Sequence, residues 1–249
     1  MKVYRVGKAK VYVYKEHASL VLEVVRNFGE AMSLPQPVFG LAKGNTPIPI
    51  YQEMVRQFAG DARLKKLQTF NLDEYYPVSA DHRGSFYQYM LHHLFTPLGL
   101  TASQVHLLNG QAPDPLLEAK HYEDQIQEAH GIDVQLLGLG RNGHIGFNEP
   151  GASFAGRTQL VTLTQSTREA NAVDFPGEFP RQALTMGIGT ILEARRLLMV
   201  ATGAEKREAV LASLLGPKTE EVPGSALRDH DDVLWFLDEE SSSELLKKL

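Results

Sequence analysis

The sequence predicts an α/β protein whose largely parallel sheet is flanked by helices. Short β-rich apolar runs alternate with longer segments of helical period almost from end to end, and glycine-rich polar clusters follow several of the strand-like runs. In sheets of this class ligands sit beyond the carboxyl ends of strands, where loops lead into helices, so those clusters are where chemistry is expected. Residues 11–14 read as a strand, and 17–32 place apolar side chains at helical spacing. A short apolar run at 37–41 precedes a glycine turn and a helix over 47–58, with Asn45 or Thr46 as its cap and Pro47 at its first position. Residues 67–72 are extended, 85–95 helical after a polar loop, 105–108 a strand, 116–128 a helix, and 134–139 a strand that feeds another glycine-rich cluster. An extended 159–164, a helical patch at 167–173 and extended residues 183–186 follow. Strands at 197–201 and 233–237 then alternate with helices at 205–215 and 241–248. No repeat, low-complexity tract or Pro/Ser-rich linker divides the chain, so residues 1–249 are expected to form one domain, with the polar stretch 151–181 as an excursion over the site, a lid.

Composition narrows the function classes. The 249 residues are 43% hydrophobic, enough for a substantial core, and the net charge of −5 comes without any block of like charges. That distribution lacks the electrostatic footprint of a nucleic-acid or membrane-surface binder. The absence of cysteine excludes disulfides, thiolate nucleophiles and Cys-based metal sites. Neither a signal-peptide core nor an apolar run of membrane-spanning length is seen, so a cytoplasmic protein is expected.

Three strand ends carry candidate chemistry. The first is GLAKGNTP, residues 40–47, which has the wrong spacing for a Walker loop but supplies a tight glycine turn and a capped helix start whose backbone NH groups suit a phosphate; a capped loop with no ligand fits this stretch equally. The second is FNLDEYYP, residues 70–77, where Asp73 and Glu74 stand just past an apolar strand and one carboxylate can act as a general base, or simply cap a turn. The third is GLGRNGHIGFNEPG, residues 138–151. Its glycines permit close backbone approach, His144 exchanges protons near neutrality, and Asn142, Asn148 and Glu149 surround it in sequence. His92 with His93, and His230 with Asp231 and Asp232, lack metal-ligand spacing.

With LGLGRNGHIGFNEPG flanked upstream by FNLDEY and GLAKGNTP, and downstream by TREAN, ALTMGIGTIL and ATGAEK, the chain resembles the glucosamine-6-phosphate deaminase (isomerase) family nearly throughout its length. The resemblance implies a Rossmann-like three-layer α/β/α sandwich. It also implies an amino-sugar phosphate as substrate, no metal or redox cofactor, and roles for individual residues. Asp73 would move the proton between C2 and C1 and His144 would open the pyranose ring, held and tuned by Asn142 and Glu149. Ala42, Lys43, Gly44, Asn45 and Thr46 would hold the phosphate together with Lys206. The family often has aspartate where this chain has Asn142; asparagine suits a histidine that begins neutral and accepts a proton.

Two departures bear on specificity and regulation. Many members carry a phosphate-contacting arginine where this chain has Val173, which leaves Lys43, Arg168 or Arg181 to replace it, or a different sugar to be preferred. Ala152, Gln159 and Val161 stand where regulated members bind an acetylated activator, and the chain ends early beside those hexameric forms, so such control is not expected; a homo-oligomer stays open. Three alternatives remain. Galactosamine-6-phosphate deaminase fits the Val173 departure. 6-Phosphogluconolactonase resembles the chain around Gly143–His144 but continues toward Ser-Leu-Phe-Pro, where this chain has Gly146, Phe147, Asn148 and Glu149. A sugar-phosphate-sensing regulator is disfavoured by the presence of Asp73 and His144 and by a sheet that starts within the first fifteen residues.

Overall fold

The computed structural model describes residues 1–172, 175 and 177–249. It opens with an antiparallel pair, β1 (Lys2–Val6) and β2 (Ala9–Tyr14), followed by α1 (His17–Ala31), β3 (Val38–Leu41), α2 (Pro47–Phe58), β4 (Gln68–Asn71) and β5 (Asp73–Tyr76). A helix then runs from α3 (Phe86–Met90) through a π-helical turn (Leu91–Phe95) into α4 (Thr96–Leu98). The remaining elements are β6 (Val105–His106), α5 (Pro115–Glu128), β7 (Val134–Gly138), β8 (Gln159–Thr162), α6 (Gln165–Ala172), β9 (Gln182–Thr185), α7 (Ile188–Leu192), β10 (Arg196–Ala201), α8 (Arg207–Leu215), β11 (Val233–Asp238) and α9 (Ser243–Leu246).

The main sheet has the order β1-β2-β11-β10-β7-β3-β4-β6, parallel throughout except for β1. Its strands show why three layers form. Along β10, Leu197, Met199 and Ala201 face α5, α7 and α8, whereas Leu198 and Val200 face α1 and α2, because successive side chains of a strand point to opposite sides. The helices answer with apolar stripes. Leu20, Val21, Val24, Val25 and Phe28 of α1 recur at helical spacing and are buried, each such side chain contributing roughly 1.5–3 kcal/mol by leaving water. At the sheet centre Gly40 makes room for the buried amide of Gln135 on β7: a Cβ there would come within 1.9 Å of it, so that side chain would have to move.

This topology also locates a cleft. From β3 the chain moves outward to β4 and β6, then returns to β7 on the other side of β3 and continues to β10 and β11. The loops leaving β3 and β7 therefore diverge in opposite directions, which opens a crevice at their carboxyl ends. Both glycine-rich clusters singled out in the sequence hang there.

A second, antiparallel sheet of order β5-β9-β8 closes the rim of that crevice. It is anchored to the main sheet by Leu72 N–H donating to Leu41 O at 2.9 Å and Met186 N–H donating to Leu72 O at 2.7 Å. Its core packs Tyr75, Phe86, Phe147, Leu163 and Phe179 together. The segment before β8 is tied to the body by Glu123 of α5, which accepts from Thr158 N–H at 2.8 Å and from the hydroxyls of Thr158 and Thr190, and pairs with Arg157. Two strands were not anticipated: β1, whose residues are mostly exposed at the sheet edge, and β5, which begins with two carboxylates. The expected helix over 85–95 contains the π-helical turn, and the strand expected at 105–108 shortens to two residues.

Candidate active site

The loop after β7 builds a hydrogen-bonded group around His144. Gly140 N–H donates to His144 O at 2.9 Å and Gly143 N–H to Gly140 O at 3.0 Å, which folds the loop back on itself. The fold leaves no room at Gly140, where a Cβ would fall 2.3 Å from the His144 ring. Asn142 Nδ2 donates to Glu149 Oε2 at 2.7 Å, so the amide oxygen is turned toward His144, where it lies 2.7 Å from Nδ1 and accepts from the His144 N–H at 3.2 Å. An amide oxygen only accepts, so Nδ1 carries the proton and the neutral ring keeps a lone pair on Nε2. Glu149 Oε2 lies 3.4 Å from Nδ1, and Oε1 accepts from the hydroxyls of Thr164, at 3.2 Å, and Thr167. Burial works against the Glu149 charge, but the bonds from His144, Thr167 and Asn142 outweigh it and hold its pKa down to about 2.

The second group lies on β5. Asp73 is 6% exposed and Glu74 2% exposed. Glu74 accepts from three backbone N–H groups, Tyr75 at 2.8 Å, Phe86 at 2.9 Å and Tyr87 at 3.1 Å, the last two at the start of α3. Burial nevertheless pushes Glu74 up to about 7 against those bonds. Burial and the neighbouring Glu74 charge push Asp73 up to about 8, with Lys43 acting in the opposite direction.

The structure brings these distant segments together. Gly146, two residues past His144, has φ +57 and faces β5: a Cβ on it would stand 3.7 Å from Asp73 Oδ2. Phe147 N–H donates to Thr185 Oγ1 at 3.2 Å, and Thr185 is the register partner of Asp73. Asn148 is buried and donates Nδ2 to Met186 O at 2.8 Å and to Ile145 O at 2.9 Å, which makes it a structural staple for the loop.

The loop after β3 forms the opposite wall. Tyr51 Oη bridges both backbone groups of Ala42, at 3.0 Å from its N and 2.5 Å from its O, and Tyr89 Oη donates to Gly44 O at 2.7 Å. The Ala42 N–H, expected among the phosphate donors, is thus engaged by Tyr51, which leaves the backbone of Gly44, Asn45 and Thr46 as the loop's candidates. Thr46 takes the N-cap position of α2 in helical conformation, with no side-chain cap bond and with Pro47 following. Lys43 points its ammonium at the aromatic rings of Phe86, 5.2 Å from the centroid, and Tyr75, 5.9 Å. Lys206 follows β10 in a short 3₁₀ turn, half-buried, its pKa lowered by that burial and by Arg141, with Glu205 opposing. Arg168 lies half-buried on α6, and the position of Val173 lies outside the described residues.

Several contributors escaped the sequence reading. Thr164, Thr167 and Thr185 carry no chemistry of their own, and Tyr51 and Tyr89 act through hydroxyls that only the folded loop engages. Among the described residues no helix is long and apolar enough to cross a membrane, and no cluster of three potential metal ligands is found.

Comparisons with known proteins bear on the family and the fold. The family described as glucosamine-6-phosphate isomerases/6-phosphogluconolactonase matches residues 17–235. Glucosamine-6-phosphate deaminase of Rhodopirellula baltica is 47% identical over 217 residues, covering 86% of both chains, and that of Thermoanaerobacter sp. is 39% identical over 233 residues, covering 92% of this chain and 91% of the other. A solved monomeric glucosamine-6-phosphate deaminase superposes with a TM-score of 0.88 at 39% identity, over 94% of this chain and 99% of its own. A 6-phosphogluconolactonase from Trypanosoma cruzi shares the fold, with a TM-score of 0.77 at 21% identity over 97% of this chain and 98% of the other.

Proposed function

Because the chain belongs to the family of glucosamine-6-phosphate isomerases and 6-phosphogluconolactonases, we propose that it is a glucosamine-6-phosphate deaminase, which converts glucosamine 6-phosphate and water into fructose 6-phosphate and ammonia. The observation that carries the reading is the convergence of a desolvated carboxyl, Asp73, and an imidazole with an available Nε2, His144, on one rim.

In this mechanism the sugar's phosphate rests on the backbone of Gly44, Asn45 and Thr46 and on Lys206, which leaves the anomeric end toward the loop after β7. His144 Nε2 takes the proton of the anomeric hydroxyl and, as the imidazolium, passes it to the ring oxygen, so the ring opens to the aldehyde. Glu149 steadies the imidazolium so formed, and Asn142 keeps the ring in the required tautomer. Asp73 then removes the C2 proton while the aldehyde oxygen takes one from water, and the protonated Asp73 returns its proton to C1 of the enolamine. The resulting C2 iminium adds water and expels ammonia, leaving the ketone. Residues 151–181, of which 173, 174 and 176 lie outside the described residues, are read as a lid whose base is the pair of threonine hydroxyls on Glu149, and the compartment as cytoplasmic.

The test is ammonia release from glucosamine 6-phosphate beside galactosamine 6-phosphate, with hydrolysis of 6-phosphogluconolactone in parallel. Preferred turnover of the first supports the reading. Preference for the second reassigns the epimer, and lactone hydrolysis alone refutes deamination. Light scattering at assay concentration reads whether copies associate.

A further inference from the structure

Lys43 was expected at the substrate phosphate, but its ammonium lies over the rings of Phe86 and Tyr75. We infer that Lys43 is a positioning residue for the proton-transfer step: clamped against an aromatic wall, its ammonium acts on the Asp73 base and not on the phosphate. The inference rests on the deaminase reading for the role of Asp73.

Three observations carry it. The backbone on both sides of Lys43 is fixed, Ala42 by the Tyr51 hydroxyl and Gly44 by that of Tyr89, so the side chain leaves the loop in a set direction. That direction ends over Phe86 and Tyr75, at 5.2 and 5.9 Å from the ring centroids, where the π faces favour a cation while excluding water. The same two residues donate their backbone N–H groups to Glu74, the neighbour of Asp73, so the aromatic wall that holds the ammonium also holds the pair of buried carboxylates. In a site of low dielectric a cation so placed favours the ionised form that a base must have. Its effect on both carboxylates opposes that of burial.

Among the described residues, the other groups that act electrostatically with Asp73 do not share this role. Glu74 on β5 carries like charge and raises Asp73. Tyr75 on β5, Tyr51 on α2 and Tyr122 on α5 are buried hydroxyls driven far above their usual range, so they stay neutral at any assay pH. The loop after β7 meets Asp73 with Gly146, which bears no charge. Among these groups Lys43 alone stabilises the anion.

The experiment compares wild type, Lys43→Met and Lys43→Arg. The readouts are kcat/KM for ammonia release from pH 6 to 10 and inhibition by inorganic phosphate. With Lys43→Met the acidic limb is expected to move up by about one pH unit, a roughly tenfold loss on that limb at neutral pH, while activity on the alkaline plateau approaches wild type and phosphate inhibition is unchanged. Lys43→Arg should return the limb toward its original position. An unmoved limb together with phosphate inhibition weakened tenfold or more would overturn the inference and make Lys43 a phosphate ligand. An unmoved limb with unchanged inhibition would overturn it as well. Asp73→Asn, run alongside, separates the two levels: if that variant keeps full turnover, the assignment of the base fails, whereas an inactive Asp73→Asn with an unshifted Lys43→Met limb refutes only the role of Lys43.

Discussion

The two ends of the cleft each hold a carboxylate, and the fold treats them in opposite ways. Glu149, on the loop after β7, meets an imidazole, an amide and two hydroxyls, and its pKa falls to about 2 despite partial burial. Asp73, on β5, meets a like-charged neighbour in a desolvated wall and rises to about 8. Glu74, equally buried but supplied with three backbone donors, lies between them at about 7. The balance between burial and the groups turned toward a carboxyl therefore sets its charge: partly buried Glu149 is held ionised by its donors, whereas Glu74, more deeply buried, rises in spite of three. One end is built to hold a permanent negative charge beside a histidine, and the other to hold a group that exchanges its proton near working pH.

The comparison breaks most directly at Asp73. Asp73→Asn is expected to lower kcat about 10²-fold to 10⁴-fold with little change in KM, measured by steady-state ammonia release. Glu149→Gln strips the permanent charge from the other end and should reduce kcat by roughly tenfold to 10²-fold, at or below the lower end of the range for a direct acid-base contribution. Should it match Asp73→Asn, the two ends would not be doing separate jobs. The pH dependence sharpens the contrast further. A base must be ionised to work, so kcat/KM of the wild type should climb as pH rises through about 8 and level off above it. A profile already flat from pH 6 would place Asp73 outside the rate equation.

The smallest expected effects are on stability, and their signs differ between the ends. Asp73 is raised in the folded state, so its contribution is fully present below the unfolded value of about 4 and is lost as pH climbs toward about 8. Asp73→Asn should accordingly melt higher than wild type at pH 8.5, with the gap shrinking toward pH 5. Glu149 is depressed, so its contribution is present above the unfolded value and is lost as pH falls toward about 2. Glu149→Gln should melt lower than wild type at pH 7, with the difference narrowing below about pH 4. Thermal denaturation monitored by circular dichroism at the two pH values for each variant reads both signs.

Much of this was legible in the sequence because the relevant signals are local. Alternation of apolar runs gave the parallel sheet, Pro47 marked the start of α2 to the residue, and the glycine loop announced His144. What stayed hidden depends on contacts across long stretches of chain. The β5–β9 ladder joins Asp73 to Thr185, and nothing in DEYY signals a strand whose partner is so far away. The threonines on Glu149 are ordinary residues until α6 is laid against the loop. The Ala42 N–H looked available until Tyr51 reached back to it, and a lysine next to a glycine turn gives no hint of the direction its side chain will take.

The hydroxyls of Tyr51 and Tyr89 have a kinetic consequence. Two such struts restrict the segment before an anion arrives, so less ordering entropy is spent on capture. The association rate should then be governed by diffusional encounter and its ionic-strength dependence. Loosening either strut, as in Tyr89→Phe, would introduce a slow, salt-independent phase into substrate capture, visible by stopped flow.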